Sequence, residues 1–306
     1  MSKKVLAIVV TYNPELPSLR LTLAALLKQD CGVLVVDNGS TNGAEIGQLC
    51  EQLETVVFAP QRDNLGVGAA HNAGIAYAQQ NAYPYVLIMD QDSVPLTGMV
   101  AALVAAHEQQ SKSHPVSAVG VSYLNADTGS ESFFVRFGKL KFARRYCNER
   151  DQLGCLEADF LISSGSLIRT DTIEHIGTMD ESLFIDHVDT EWFLRAKNRG
   201  YRAFGVCDAL MQHGLGEQTH RVAIGGRQRN VPQHKPFRYY YIMRNSVLLY
   251  RRGYCSNWWK WNDIQRLGMI FIMFGLVKAP RRANLSMMLR GVWHGLRGVT
   301  GPMPNA

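Results

Sequence analysis

No stretch of this chain is apolar for long enough to cross a bilayer. The stretch 267–277 is 11 residues of apolar side chains and glycines, whereas a spanning helix needs about 20. The N-terminal apolar run 5–10 is shorter still and lacks a small-residue cleavage site, so no signal peptide is expected. The six cysteines, at 31, 50, 147, 155, 207 and 255, include no C-x-x-C pair. That argues against a zinc site and a disulfide scaffold, and reads as reduced thiols in a cytoplasm. A complete dinucleotide fingerprint is missing too. In Gly66-Val67-Gly68-Ala69-Ala70-His71 a histidine stands where the third glycine belongs, and 60–65 separates the motif from the preceding strand. An oxidoreductase built on that fingerprint is therefore excluded, and the glycines read as a helix opening that allows close packing.

Acidic residues are scarce at one end. Residues 217–306 carry 15 Lys and Arg against Glu217 and Asp263 alone, a net of +13 within a chain whose total is +6, which leaves −7 for 1–216. The two parts suit different partners: metal and sugar chemistry for the acidic front, phosphates or an anionic membrane surface for the tail. No zinc-finger, helix-turn-helix or aromatic-rich RNA signature accompanies the basic charge, so nucleic acid is not expected as a partner. At 306 residues, 46% apolar and 19% charged, the chain is long and apolar enough for a full core.

What is present is a strand and helix alternation. Apolar runs at 5–10, 33–36, 55–58 and 85–89 alternate with helical spacing at Leu16, Leu19, Leu23 and Leu26, at Ile46, Leu49 and Leu53, and over 68–80. The pattern predicts an α/β fold with a Rossmann-like, mostly parallel sheet, helices on both faces, and a helical, basic C-terminal region. Three parts are expected: 1–95, 96–216, and the basic region 217–306. Helix is predicted over 101–107 and strand over 117–123. Residues 131–150 read as irregular or hairpin, and 159–168 as a strand or strand-turn. The acid-rich run from Asp186 precedes a helix that Gly200 stops.

Ligands of such a sheet gather at the carboxyl ends of its strands. There the chain offers Thr11-Tyr12-Asn13, Asp37-Asn38-Gly39-Ser40 and Asp90-Gln91-Asp92. Two carboxylates at i and i+2 behind a buried strand supply hard oxygen ligands with positions left open for phosphate oxygens. Solvated turn aspartates have the same look. Asp186, Asp189 and Glu191 crowd one helix start, where capping alone needs one acid; Glu191 with Arg195 also forms a plain i, i+4 pair.

These strings, with Asn64-Leu65-Gly66 between them, resemble family 2 glycosyltransferases of the GT-A fold. Asp90-Gln91-Asp92, the run 160–165 and the run 184–191 are similar to bacterial dTDP-L-rhamnose-dependent rhamnosyltransferases, including the second rhamnosyltransferase of rhamnolipid synthesis. The resemblance implies that Asp37 reads the pyrimidine, that Asp90 lies near the ribose, and that Asp92 holds Mg2+ or Mn2+ on the diphosphate with His213 as a further metal or diphosphate contact. It implies donor contacts from Thr11, Tyr12, Asn13, Asn64, Gly66 and Arg244. Asp189 aligns with the general base. The residue before it departs from the usual acid and is Val188, so an orienting role falls to His187, Glu191 or Asp186. Ser163, Ser164 and Trp192 are acceptor candidates. A transferase using another sugar nucleotide, such as a UDP-hexose, or a non-catalytic nucleotide-binding membrane adaptor, would share part of this pattern.

The tail has a bland reading, a core helix over 267–277. The sharper one is an interfacial anchor, with Trp258, Trp259 and Trp261 ahead of the apolar stretch and Lys278, Arg281, Arg282, Arg290 and Arg297 behind it. Trp293 and His294 read as packing residues. The expected location is the cytoplasm, peripheral on the inner face of a bacterial inner membrane.

Overall fold

The computed structural model describes residues 3–125, 133–139, 142–213, 219–224 and 227–304. Strands β1 (Val5–Thr11), β2 (Gly32–Asp37), β3 (Val56–Pro60) and β4 (Tyr85–Asp90) alternate with helices α1 (Leu16–Leu27), α2 (Gly43–Gln52) and α3 (Val67–Gln80). Strands β1 and β4 are buried along nearly their whole length, which is why their sequences are apolar at every position and not at alternate ones. Strand β5 (Ser93–Pro95), α4 (Met99–Gln110) and β6 (Val116–Asn125) follow. Then come β7 (Phe134–Phe137), β8 (Phe142–Arg145), β9 (Cys155–Ala158), β10 (Ser166–Arg169), α5 (Thr170–Ile176), α6 (Val188–Asn198) and β11 (Arg202–His213).

Nine of these strands make one sheet, in the order β3-β2-β1-β4-β10-β6-β11-β5 with β9 paired to β11. Strands β2 and β4 flank β1 in parallel, and β10 runs antiparallel between β4 and β6. The chain steps outward from β1 to β3 and then returns to the other side of β1. That reversal opens a crevice at the carboxyl ends of β1 and β4, at Thr11 and Asp90. One apolar layer joins the sheet to α1, α2 and α4 through Leu19, Leu23, Ile46, Leu49 and Leu103. The other joins it to α3, α5 and α6 through Ile75, Ile173, Val188, Trp192 and Phe193. Helices thus cover both faces, as the sequence pattern predicts.

One expectation is met and one changes. Residues 159–168 take the strand-turn form: Phe160 makes an isolated bridge to Val135, the chain turns through Gly165, whose φ is +82°, and Ser166–Arg169 pairs with β4 and β6. A Cβ on Gly165 would lie 2.3 Å from Cγ2 of Val121, so only glycine lets the turn settle onto β6, while its N–H donates to the Ile88 carbonyl of β4 at 2.8 Å. The cysteines are not all free thiols. Cys147 and Cys207 form a disulfide with Cα atoms 5.7 Å apart, while Cys31, Cys50, Cys155 and Cys255 are free and buried. The bonded pair is 60 residues apart in sequence, and what brings it together is β9 pairing with β11, which no spacing motif announces. The expected hairpin appears as β7 and β8; residues 131, 132, 140 and 141 lie outside the described residues.

An antiparallel pair, β12 (Thr219–Ile224) and β13 (Arg227–Pro232), leads to α7 (Pro236–Tyr250), α8 (Asn257–Ile270) and α9 (Arg281–Leu296). Helix α8 continues into a π-helical segment, Phe271–Val277. Among the described residues no helix is long and apolar enough to cross a membrane. A Cβ on Gly291 would sit 2.4 Å from the Tyr240 carbonyl oxygen, and one on Gly295 2.8 Å from that of Arg244. These two small residues one turn apart let α9 lie directly on α7.

Gly165→Ala is expected to destabilise the protein by about 2–4 kcal/mol in urea unfolding, because it combines a left-handed φ with a clash against the stiff, β-branched side chain of Val121. Gly98→Ala has a similar φ of +82° but nothing within 4 Å, and should cost only about 1–2 kcal/mol. Equal losses would show that the Val121 contact is not what requires glycine at 165.

Candidate active site

The crevice between β1 and β4 is organised by Asp37. This carboxylate is 2% exposed. Its Oδ1 accepts from Thr11 Oγ1 at 2.8 Å and from Ser40 Oγ, and its Oδ2 accepts from the Ser40 N–H at 3.0 Å. The bonds tie the end of β1 to the turn after β2. The next residues interlock: Asn13 donates its N–H to Ser40 Oγ at 2.8 Å, and its Oδ1 accepts from the N–H and hydroxyl of Thr41. Asn38 reaches the next loop, giving Nδ2 to Asn64 Oδ1 at 3.1 Å and accepting the Leu65 N–H at 3.0 Å. Asn64 Oδ1 also accepts the Gly66 N–H. Tyr12 stands 49% exposed at the rim.

The acidic pair sits across the crevice. The middle residue, Gln91, accepts the Tyr12 N–H at 2.8 Å through its side chain, so the D-Q-D turn is fastened to the end of β1. Sequence reasoning gave Gln91 no role, since it looked only like the spacer between two acids. Asp90 donates its N–H to Ser164 Oγ at 3.0 Å, and that hydroxyl donates to Ser93 Oγ at 2.8 Å. Asp92 is half-buried, and among the described residues its carboxylate has no hydrogen bond or ion pair. Strand pairing sets His213 opposite Ser93, one residue beyond Asp92. Among the described residues no three His, Cys, Asp or Glu gather into a closed cage.

The third element is the segment 183–189. Phe184, Asp186 and His187 all have left-handed backbone, with φ of +65°, +63° and +65°, a costly arrangement for residues with side chains. Helix α7 holds it in place. Asn245, wholly buried, donates Nδ2 toward the carbonyls of Leu183, Ile185 and Asp186 at 2.8–2.9 Å. Arg244, also wholly buried, donates to the carbonyls of Leu183 and Gly301. Arg238 grips the Asp186 carboxylate at 2.6 Å. Gly66 completes the seam: its missing Cβ lets the Phe184 carbonyl approach, and that carbonyl accepts the Val67 N–H at 2.8 Å. The glycines at 66 and 68 are thus close-packing residues at the opening of α3.

Several expected contacts change in this light. Arg244 is wholly buried, with its guanidinium committed to the carbonyls of Leu183 and Gly301 and to Asn245 Oδ1. Trp192 is wholly buried and gives its indole N–H to the Gly177 carbonyl at 2.8 Å; it is a core residue, not a surface for an acceptor. Ser164 is 2% exposed and braces Asp90, while Ser163 is half-buried in the same turn. Glu191 points into a separate network of Arg195, Arg252 and the Tyr254 hydroxyl. His187 bonds through Nε2 to Ser246 and Arg266, both at 3.0 Å. Burial pulls its pKa down to about 4, with Arg266 adding to the effect against Asp263 and Asp186, so it is a neutral anchor.

Asp189 is different. It lies in the first turn of α6, and Oδ1 accepts the N–H of Thr190 at 2.6 Å and its hydroxyl at 3.3 Å. Burial raises its pKa above the ordinary aspartate range and the nearby Asp186 pushes the same way, while the bonds from Thr190 oppose them. A carboxyl that holds its proton more tightly than usual is a stronger base once ionised.

Glycosyl transferase family 2 matches residues 6–177. The chain is 30% identical over 304 residues to the dTDP-rhamnosyl transferase RfbF of Shigella flexneri, covering 98% of each protein. It is 25% identical over 262 residues to the galactofuranosyltransferase GlfT1 of Mycolicibacterium smegmatis, covering 81% of this chain and 84% of that one. Its fold is similar to the crystal structure of GalNAc-T7 with UDP, GalNAc and Mn2+, at a TM-score of 0.61 and 13% identity, over 97% of this chain and 56% of that one. It is also similar to S. aureus TarS 1-349 in complex with UDP-GlcNAc, at a TM-score of 0.56 and 17% identity, over 97% and 81%.

The raised pKa of Asp189 has a sign that stability can test. The folded protein binds that proton more tightly than the unfolded chain, so the site favours folding less as pH climbs from the ordinary carboxylate range through the raised value. Asp189→Asn should leave the melting temperature unchanged at pH 4 and equal or higher at pH 7. A lower Tm at pH 7 would mark the carboxylate as a stabilising cap.

Proposed function

The chain belongs to glycosyltransferase family 2, and from that premise we propose that it moves L-rhamnose from dTDP-L-rhamnose, with inversion, to a saccharide or lipid-linked acceptor in bacterial cell-surface polysaccharide or glycolipid synthesis. The observation that carries the donor is the end-to-end likeness, 98% of each chain, to a protein named as a dTDP-rhamnosyl transferase. The crevice supports it. Asp37, fixed by Thr11 and Ser40, retains an acceptor direction suited to the N3–H of thymine or uracil, which a purine does not present there. The exposed ring of Tyr12, with Asn13 and the Asn64–Gly66 backbone, flanks the nucleotide, and Asp90 lies at the ribose.

Asp92 and His213 would hold Mg2+ or Mn2+, and the Asp92 carboxylate, which makes no hydrogen bond or ion pair among the described residues, fits such an ion. Bound there, the cation neutralises charge on the departing diphosphate. The rest falls to this chain's residues. The acceptor hydroxyl gives its proton to the Asp189 carboxylate as its oxygen attacks the anomeric carbon from the face opposite the phosphate, and that single displacement inverts the centre. The clamp from Asn245 and Arg238 holds the segment that delivers Asp189, and Asp186 raises its basicity. Such a base contributes about two to four powers of ten in rate.

The tail suits a membrane surface. Trp258, Trp261, Ile264, Met269, Ile272 and Leu276 are each about half exposed, and their spacing along α8 and its π-helical extension sets them on one broad stripe. Trp259, by contrast, is 2% exposed and belongs to the core. Trp293 is 52% exposed, with Arg297 over its ring, while His294 packs through the Tyr240 hydroxyl. An exposed apolar stripe beside Lys278, Arg281 and Arg282 matches an interfacial helix on anionic lipid at the inner face of the bacterial inner membrane.

Nucleoside diphosphate release tests the reaction. Turnover should occur with dTDP-L-rhamnose, fail with GDP-sugars, stop in excess EDTA and return with Mn2+ or Mg2+. Asp189→Asn should lose two or more orders of magnitude in kcat while binding dTDP as the wild type does, and the acid limb of the wild-type rate should lie above the ordinary aspartate range. Turnover of a UDP-hexose in preference would reassign the donor, and full activity in EDTA would remove the cation.

Vesicle flotation tests the surface. Wild type should float with anionic liposomes at low salt, more weakly as salt rises. Trp258→Ser with Ile272→Ser should stay at the bottom while turning over a soluble acceptor normally. Equal flotation of both proteins would assign attachment to another region.

A further inference from the structure

Beside the turn that braces Asp90 is a cavity of about 190 Å3 that none of the roles above uses. Its walls include Val121, Phe133, Phe134, Phe160, Leu161 and Ile162, and none of its lining residues is charged. The polar members are Ser164, whose hydroxyl is committed between the Asp90 N–H and Ser93, and Tyr123. Two glycines shape it. A Cβ on Gly120 would come within 2.9 Å of the Leu161 side chain, and one on Gly165 within 2.3 Å of Val121, so the turn 160–165 folds close onto β6 and leaves the space beside itself.

Ile162 stands out. It is half-buried, belongs to neither apolar layer of the sheet, and is held by its backbone, whose carbonyl accepts from Ser166 Oγ at 2.6 Å. Phe133 is likewise outside those layers, with the Arg144 guanidinium 4.2 Å from its ring centroid. Both lie outside the sheet's two apolar layers, yet both line a space that also borders Ser164, which accepts the Asp90 N–H. A phosphate or carboxylate finds no charged residue in the lining itself, the Arg144 guanidinium being laid over the Phe133 ring. A sugar hydroxyl would lose its water without gaining a matching set of hydrogen bonds. An alkyl group loses nothing.

We infer that this cavity is the subsite for the methyl group of a 6-deoxyhexosyl donor, with Ile162 and Phe133 as specificity residues against the corresponding 6-hydroxy sugar. The inference rests on the donor reading above and narrows it. An apolar pocket discriminates modestly against an added hydroxyl, so the expected preference in kcat/KM is about 10- to 100-fold.

The test compares dTDP-L-rhamnose with dTDP-L-mannose, its 6-hydroxy counterpart, in wild type, Ile162→Thr and Phe133→Ser, with dTDP affinity measured for each. Threonine keeps the β-branched shape at 162, and unchanged dTDP affinity shows that the crevice is intact. A wild-type preference of 10-fold or more that shrinks to within about 3-fold in either variant supports the subsite. Equal use of both donors by wild type, or a preference unchanged in both variants, overturns it while leaving rhamnosyl transfer standing. No turnover of dTDP-L-rhamnose by wild type would instead overturn the donor reading, and the subsite with it.

Discussion

One buried amide holds the two halves of this site together. Asn245 directs its Nδ2 at the carbonyls of Leu183, Ile185 and Asp186, and the segment 183–187 contains three non-glycine residues in left-handed backbone. Each such residue costs about 1–2 kcal/mol, so the segment would relax elsewhere without a partner for its carbonyls. Leaving those oxygens unbonded inside the protein would cost as much again. The helix that supplies Asn245 also supplies Arg238 and Arg244, and the three side chains act on the same few residues. What α7 contributes is therefore the backbone geometry from which α6, and Asp189 with it, begins.

The seam at Gly66 extends this constraint across the molecule. Phe184 lends its carbonyl to the start of α3, so the loop that follows β3 and the loop that precedes α6 share a boundary with no side chain between them. The Asp37 side and the Asp189 side are fixed relative to each other by backbone contact, without a flexible tether. Asp37, Asn38 and Asn64 then carry the same rigidity to the end of β1. The result is a crevice whose walls are hydrogen-bonded to each other at nearly every polar group except Asp92, the carboxylate with hard oxygen ligands to offer.

The parallel sheet was legible in the sequence because buried strands and amphipathic helices leave different periodicities, and the three strand-end clusters followed from the order of the elements. The roles within those clusters were harder to read. Gln91 looked unremarkable, and Ser164 looked like an acceptor contact, because what they do is bond to backbone groups of residues far away in the chain. Arg244 and Trp192 misled in the opposite direction: each has the chemistry of a ligand contact, and burial decides otherwise. Glu191 was one of three acids at a helix start, but neighbouring positions on a helix point about 100° apart, so the acids cannot all face one site. The disulfide and the clamp on 183–186 depend on contacts between distant segments, which local pattern does not encode.

The stripe on α8 has a consequence at the bench. A row of tryptophan, isoleucine, methionine and leucine side chains left in water is a surface that other copies of itself can cover, and larger exposed patches of this kind promote self-association. Purified without lipid or detergent, the protein should elute at a size that grows with concentration and shrinks when a mild amphiphile is added. A stoichiometry measured in plain buffer would then report how the stripes hide from solvent, and only a measurement with the stripe already covered would count the subunits that the enzyme uses.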